Sequence, residues 1–179
     1  MRLIGGGEGA NVYQIDAQQV LKIFKSDSKF KHELGMLRKL SRIGVGPAAV
    51  LGNKPNSLVM PMYHPISLKD LSSAVFQRAL VRQVITMVHH GFLHNDLHVG
   101  NIMKTKANTP VIVDFDLMRK VRPPYSKVIR DQLVMAQLYA IIDPANTHNH
   151  LSAKWLSHQT EQLVNGPIVD AIYKIRQGK

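Results

Sequence analysis

The sequence predicts an α+β fold in which a small antiparallel sheet with one helix precedes a mainly helical part. The first 62 residues hold β-rich runs separated by glycine and polar turns, with one amphipathic segment among them. From residue 63 onward helical periodicity dominates, interrupted by one short hairpin. A chain of 179 residues has room for one well-buried domain, or for two small lobes that share a cleft. We therefore predict one domain over residues 1–179, with an N-terminal lobe over 1–62 and a reduced C-terminal lobe over 63–179.

The first strands carry an unusual glycine cluster. Residues 3–15 and 18–24 read as two β-rich runs joined by a polar turn at Asp16 and Ala17, with Gly5, Gly7 and Gly9 in a bend of the first run. Ordered glycine costs backbone entropy, so such a cluster indicates either a tight turn or backbone that must lie close to a ligand.

A helix is predicted over residues 26–44. Ser26, Asp27 and Ser28 are candidate N-caps, and four apolar residues follow at helical spacing. Those four are Phe30, Leu34, Leu37 and Leu40. A second hairpin is predicted over 48–64, with its turn at 52–56 and its ladder ended by Pro61, which has no N–H to donate.

The remaining chain is predicted to be mostly helical. Residues 68–90 have a helical pattern that ends at Gly91, a favourable C-terminal cap. Short strands are predicted at 101–104 and 109–115, and helical patterns at 126–142, 151–165 and 167–176.

Composition limits the chemistry and the partners. Lys and Arg number 23 against 12 Asp and Glu, so the net charge of +11 favours acidic partners such as nucleic acid, nucleotide phosphates, anionic membrane or acidic protein, with solvated surface charge as the equal alternative. The absence of cysteine excludes disulfides, thiolate zinc sites and cysteine catalysis. No apolar run approaches the roughly 20 residues that span a bilayer, and no signal-peptide pattern follows Met1, so we expect a soluble protein.

The strongest chemical signal is HNDLHVGN at residues 94–101, followed by VDFD at 113–116. Asp96 and Asn101 lie five residues apart, and Asp114 follows Asp96 by 18 residues. An acid, an amide and a second acid in this order suit a site that combines a metal with an activated hydroxyl nucleophile. The pattern resembles the protein-kinase superfamily, whose catalytic loop reads His-x-Asp-x-x-x-x-Asn and whose metal-binding acid begins Asp-Phe-Gly.

The resemblance extends to the N-terminal part of the chain. Residues 5–12, GGGEGANV, are similar to the kinase loop that covers the nucleotide, with Ala10 where a third glycine is usual. VLKI at 20–23 resembles the strand whose lysine pairs with the α and β phosphates, which implies Lys22 in that role. We predict that Glu33 forms an ion pair with Lys22, because it is the only glutamate in the following helix.

The same resemblance assigns further roles. Residues 58–63 resemble the fifth strand and hinge, so that Met60 is the gatekeeper and the backbone of Pro61 and Tyr63 meets the adenine edge. Val12, Val20 and Met103 would sandwich the base. Asp96 would accept or orient the proton of the attacking hydroxyl, and Asn101 and Asp114 would hold Mg²⁺ between the phosphates of ATP. His94 is expected to pack behind the loop and bond to backbone, and Asp131 to brace the catalytic loop.

Several departures from ordinary protein kinases are informative. His98 stands where serine/threonine kinases carry a lysine, and Asp116 replaces the glycine of Asp-Phe-Gly, its carboxylate directed either at metal or at solvent. About a dozen residues separate Asp114 from Ser126, too few for an activation segment, so the enzyme should be constitutively active or switched by a partner. The basic strip of Arg119, Lys120 and Arg122 would either dock an acidic substrate or form a solvated linker.

The sequence thus predicts a minimal atypical protein kinase that phosphorylates Ser or Thr of a protein. It resembles the type III effector kinases that bacterial pathogens secrete into the host cytoplasm, which implies a host chaperone or signalling protein as the substrate. One alternative is a small-molecule phosphotransferase of the aminoglycoside or choline kinase type, which shares His-x-Asp-Leu-His but needs a larger insert than residues 64–93 provide. Another is a kinase-like ATPase, or a nucleotide-binding module without transfer chemistry, that acts with a protein or RNA partner; a nucleic-acid partner is less favoured. Zinc binding by His90, His94 and His98 is disfavoured, since Gly91 breaks the helix that would align them.

Overall fold

A computed structural model of the chain describes residues 1–120. The helices predicted beyond residue 125, together with Asp131 and Arg122, lie outside the described residues. The N-terminal part is a five-stranded antiparallel sheet with one helix. Its elements are β1 (Arg2–Gly6), β2 (Ala10–Gln14), β3 (Gln19–Phe24), α1 (Asp27–Ser41), β4 (Val50–Leu51) and β5 (Ser57–Pro61). The strand order in the sheet is β1-β2-β3-β5-β4.

The run predicted over residues 3–15 is two strands rather than one. Residues 7–9 turn the chain, and the amide of Gly7 donates to the carbonyl of Ala10 at 3.1 Å. β1 is exposed along its whole length, whereas β3 has Val20, Leu21 and Phe24 buried. β3 is buried because it lies in the middle of the sheet, between β2 and β5. That placement carries Lys22 into the interior.

Helix α1 begins where the sequence predicted. The side chain of Ser26 caps it by accepting a hydrogen bond from the amide of Lys29. Its buried residues are Glu33, Met36, Leu37 and Leu40, so a carboxylate interrupts an otherwise apolar face. A carboxylate is tolerated in such a place only with a partner.

The second hairpin is confirmed. Val50 pairs with Val59 and Leu51 with Leu58, and β5 ends at Pro61 as predicted. Gly52 is required at the turn because a Cβ there would lie 2.3 Å from Oγ of Ser57.

The following part contains α2 (Leu68–Ser72), α3 (Ala74–His89) and short strands. The helix predicted over 68–90 is interrupted at Ser73, whose side chain accepts from the amide of Phe76 and thereby caps α3. Its predicted end is confirmed, since Gly91 adopts a φ of +77°. The strands are β6 (His64–Pro65), β7 (Phe92–Leu93), β8 (Ile102–Lys104), β9 (Pro110–Ile112) and β10 (Arg119–Lys120), and residues Val99–Asn101 form a 3₁₀ turn.

Three of these strands were not predicted. β6 joins β8 and β9 in a three-stranded sheet, and β7 pairs with β10. Each of β6, β7 and β10 has two residues, too few for an alternating pattern. The strand predicted over 109–115 ends at Ile112, and Asp114 leaves it with a φ of +62°. Arg119 and Lys120 of the basic strip form an exposed edge strand.

Within the described residues, one hydrophobic cluster connects the two parts. It brings Leu37, Leu40 and Leu58 together with Leu80 and Val84 of α3 and with Phe115. The elements that carry the predicted site residues are therefore packed on a shared core. Among residues 1–120, no helix has the length and apolar character needed to cross a membrane.

Candidate active site

A cleft passes between the five-stranded sheet and the segments around residues 100 and 114. The residues predicted to contact nucleotide or metal all line it. They are Gly5, Gly7, Gly9, Val12, Val20, Lys22, Glu33, Met60, Pro61, Tyr63, Asn101, Met103 and Asp114. Asp96 is the predicted site residue that does not line this cleft; it lies beside it, bonded to Asn101. The lining combines two kinds of surface. Val12, Val20, Met60 and Met103 are apolar, whereas Lys22, Glu33 and Asp114 form a charged cluster, which we call the polar end.

The predicted ion pair of Lys22 and Glu33 is present. Nζ of Lys22 lies 2.8 Å from both Oε1 and Oε2 of Glu33, and 3.1 Å from Oδ1 of Asp114. Glu33 is 2% exposed, so the pair is shielded from water. Lys22 on β3 thus joins α1 to the segment that follows β9.

Burial and charge act against each other at this pair. Burial by itself lowers the pKa of the Lys22 ammonium, but the charges of Glu33 and Asp114 and their hydrogen bonds more than reverse this, so that its pKa is raised. Burial also raises the pKa of the Glu33 carboxyl, and Lys22 opposes that rise. Lys22 therefore remains a cation at neutral pH.

The catalytic-loop residues are held in a compact turn. Nδ2 of Asn101 donates to the backbone carbonyl of Asp96 at 2.8 Å and to its Oδ2 at 3.2 Å. With Nδ2 used in this way, Oδ1 of Asn101 is left as an acceptor atom at the cleft. Nδ1 of His98 accepts from the amide of Gly100 at 3.0 Å, which leaves Nε2 on the side of Asp96, 3.8 Å from Oδ2.

Hydrogen bonds tie this loop to the segment that carries Asp114. Nε2 of His94 bonds to the carbonyl of Val113 at 3.0 Å, and the amide of Val113 donates to the carbonyl of Asn101 at 3.0 Å. His94 is fully buried, as expected, and burial lowers its pKa. Nδ2 of Asn95 adds a bond to the carbonyl of Leu117 at 3.0 Å. Asn95 was not predicted, and its left-handed backbone, with a φ of +63°, is an environment in which asparagine is enriched.

Asp114 and Asn101 present oxygen atoms suited to Mg²⁺. Carboxylate and amide oxygens are the hard ligands that this ion prefers. The Asp114 side chain is 50% exposed at the cleft, and its φ of +62° is uncommon for a residue other than glycine. Strained backbone of this kind is concentrated at functional sites. The donor set present therefore fits Mg²⁺ held by Asn101 and Asp114.

Asp116 has a cationic partner that the sequence did not predict. Its Oδ2 accepts a hydrogen bond from Nζ of Lys29 at 2.7 Å, so it forms an ion pair rather than facing open solvent. Lys29 was not predicted. The sequence did offer a signal, because Lys29 and Glu33 are four apart and so lie on one face of α1.

Lys25 holds the turn at residues 7–9, called the glycine turn here, by two hydrogen bonds. Nζ of Lys25 donates to the carbonyl of Gly7 at 2.7 Å, and the backbone amide of Lys25 donates to the carbonyl of Gly9 at 3.0 Å.

The segment after β5, which was predicted to be the hinge, is also fixed by a backbone hydrogen bond. The amide of Met62 donates to the carbonyl of Gln18 at 2.6 Å, which joins this segment to the turn between β2 and β3.

Comparison with known proteins identifies the family. The ABC1 atypical kinase-like domain matches residues 52–143, which include the catalytic loop and Asp114 but not the glycine turn, Lys22 or Glu33. The chain is also 30% identical over 144 residues to the DNA damage-responsive serine/threonine-protein kinase RqkA of Deinococcus radiodurans. That match covers 66% of this chain and 22% of the relative, so the chain spans about a fifth of the relative's length. The predicted resemblance to the protein-kinase superfamily is confirmed, and the chain belongs to the family of ABC1 atypical kinase-like domains.

Proposed function

We propose that this chain is a minimal atypical protein kinase that transfers the γ-phosphate of ATP to a Ser or Thr hydroxyl of a protein. The observation that carries the proposal is the convergence of Lys22, Glu33 and Asp114 at the polar end of a cleft whose other end is apolar. An apolar end suits a nucleobase, and a cation within a glycine-lined end suits phosphates. Asn101 links Asp96 to this end.

Nucleotide binding would use groups that are already positioned. Val12, Val20 and Met103 would enclose the adenine, and the backbone of Pro61 and Tyr63 would bond to its edge. At the other end, Lys22 would contact the α and β phosphates while Glu33 keeps it directed into the cleft. The glycine turn allows backbone amides to approach phosphate oxygens because no Cβ holds them away.

Transfer would use Asp96 as the proton acceptor. The substrate hydroxyl oxygen forms a bond to the γ-phosphorus, the bond from that phosphorus to the β–γ bridging oxygen breaks, and ADP leaves with the electron pair. The hydroxyl proton passes to a carboxylate oxygen of Asp96. Asn101 orients Asp96 through its two hydrogen bonds. Mg²⁺, when bound by Asn101 and Asp114, would neutralise charge that develops on the phosphates.

The fold suits an enzyme without an activation segment. Only two residues separate Asp116 from β10, where the chain already pairs with β7. About a dozen residues separate Asp114 from Ser126, which leaves little room for such a segment. We therefore propose a constitutively competent enzyme of two lobes, the first over 1–62 and the second from 63, with the nucleotide between them.

The choice of protein as substrate is supported by the similarity to RqkA, which is described as a serine/threonine-protein kinase. The further proposal is an effector role, in which the target is a chaperone or signalling protein of a host cell. Its motivation is the short connection between Asp114 and Ser126.

The test is phosphate transfer from γ-labelled ATP with Mg²⁺ into two lysates, one bacterial and one eukaryotic. Asp96→Asn and Asp114→Ala should abolish labelling, whereas Asp27→Asn should not, because Asp27 pairs with Lys31 on the exposed side of α1. Labelled proteins with phosphoserine or phosphothreonine in both lysates, or only the bacterial one, would support the kinase and remove the effector role. Labelled metabolites without labelled protein would replace the proposal with a small-molecule phosphotransferase, and RNA-stimulated hydrolysis without transfer would replace it with an ATPase.

A further inference from the structure

Lys29 and Asp116 form an ion pair at the polar end of the cleft. Their Nζ and Oδ2 atoms lie 2.7 Å apart, and their side chains are 39% and 27% exposed. Both residues line the cleft. Hydrogen bonding to Asp116 raises the pKa of Lys29, so Lys29 is a full cation at neutral pH.

This pair lies directly beneath the glycine turn. A Cβ added to Gly9 would be 3.1 Å from Nζ of Lys29 and 3.3 Å from Oδ2 of Asp116. Lys25 holds the same turn by its bonds to Gly7 and Gly9. A phosphate under the backbone of this turn would therefore be next to the Lys29 ammonium.

Carboxylates outnumber ammonium groups at the polar end of the cleft. Among the described residues that line it, two ammonium groups face three carboxylates: Lys22 and Lys29 against Glu33, Asp114 and Asp116. Lys22 is committed to two of these acids and is largely buried. Within residues 1–120, Lys29 forms one ion pair and is more exposed, so it can exchange that partner for a phosphate with little additional desolvation. Its long side chain permits this without movement of α1.

We infer that Lys29 contacts the terminal phosphate of ATP and makes the site prefer ATP to ADP, with Asp116 holding Lys29 beneath the turn when no nucleotide is bound. The inference rests on the proposed nucleotide site. Lys22 would serve the inner phosphates, and Lys29 would serve the outermost one, where His98 replaces the usual lysine. Asp116 then competes with the nucleotide for Lys29.

This competition predicts that Lys29→Gln and Asp116→Asn change the affinity for ATP in opposite directions. Binding of ATP, ADP and AMP to the full chain is measured by calorimetry with Mg²⁺ present. Lys29→Gln should weaken ATP binding about 10-fold, as expected for loss of a charged hydrogen bond, and leave ADP and AMP within about twofold. Asp116→Asn should tighten ATP binding about threefold, because it releases Lys29 and removes a nearby negative charge. Lys29→Arg should retain the preference for ATP.

Matched controls come from the same helix. Lys31 and Asp27 form an exposed pair at 2.6 Å, so Lys31→Gln and Asp27→Asn change the same charges without facing the cleft, and should leave all three affinities unchanged. If Lys29→Gln and Asp116→Asn weaken ATP and ADP equally, the pair is structural and the inference is overturned. If Asp116→Asn weakens ATP only when Mg²⁺ is present, Asp116 is a metal ligand and the inference is likewise overturned. If the wild-type protein binds ATP but neither variant changes its affinity, the inference is overturned and the proposed function stands. If the wild-type protein binds no ATP, the inference and the proposed function are both overturned.

Discussion

Gly46 lies against the ring of Phe115, which stands between Asp114 and Asp116, and Gly46→Ala tests the importance of this contact. Gly46 has a φ of +82°, and a Cβ there would lie 3.1 Å from Cε2 and 3.2 Å from Cζ of Phe115. Phe115 lies between Asp114 and Asp116 in the sequence and is fully buried. Its ring packs against the ring of His94, with 5.1 Å between the two ring centroids. The substitution should therefore disturb both stability and the positions of the acids.

The magnitude follows from two separate penalties. A left-handed backbone costs a residue with a Cβ about 1–2 kcal/mol. Overpacking in a filled core typically costs about a further 1–3 kcal/mol. Gly44 provides the matched control, because its φ is +71° but nothing lies within 4 Å of its added Cβ. Gly44→Ala should show the backbone penalty alone.

The assay is urea unfolding followed by circular dichroism, together with phosphate transfer under native conditions. Gly46→Ala should lower the free energy of unfolding by about 1–3 kcal/mol more than Gly44→Ala, and should reduce transfer while Gly44→Ala leaves it near wild type. Equal destabilisation by the two variants would refute the argument that Phe115 is tightly held against Gly46.

Three further predictions concern buried and paired groups. Glu33→Gln should lower the free energy of unfolding by about 1–3 kcal/mol and weaken ATP binding, because Lys22 loses a charged partner but keeps Asp114. Unchanged ATP affinity in calorimetry would contradict the proposal that Glu33 positions Lys22 for the phosphates. Burial lowers the pKa of His94, so the unfolded state binds more protons below pH 6.5, and stability should fall by up to about 1.4 kcal/mol per pH unit there. His94→Gln should flatten this part of the stability curve, and a variant with the wild-type slope would show that another group causes it. Hydrogen bonds from Lys104 and from Ser67 lower the pKa of Asp70 to about 2 from 3.8, so their stabilisation is present above pH 3.8 and is lost as the pH falls toward 2. The stability difference between wild type and Asp70→Asn should shrink over that interval in acid titrations, and a difference independent of pH would refute this assignment.

The local elements were largely predictable because their signals are local. Ser26 as the cap of α1, the hairpin that ends at Pro61 and the helix end at Gly91 each depend on the chemistry of a few neighbouring residues. The bend at the glycines was predicted, but residues 3–15 were predicted as one run and not as the two strands β1 and β2. The reason is that the pattern of β-branched and polar residues continues on both sides of the glycines. β6, β7 and β10 were missed because two-residue strands exist only through distant partners.

The sequence alone determined which chemical groups this protein brings to its site. The order of the glycines, Lys22, Glu33, Asp96, Asn101 and Asp114 indicated a kinase-like site, and the ion pair of Lys22 with Glu33 followed from a single helical glutamate. Such motifs are readable because their residue types and spacing are set by the chemistry they perform.

Only the tertiary structure decided what the residues outside the motifs do. Lys29 and Asp116 are 87 positions apart, and Asn95 bonds to a carbonyl 22 positions away, so no local pattern joins them. The side chain of Asp116 was expected at metal or at solvent, and the packing of α1 over the segment after β9 gives it Lys29 as a partner. The partner of a charged group depends on which elements the core brings together, and that is a property of the folded chain.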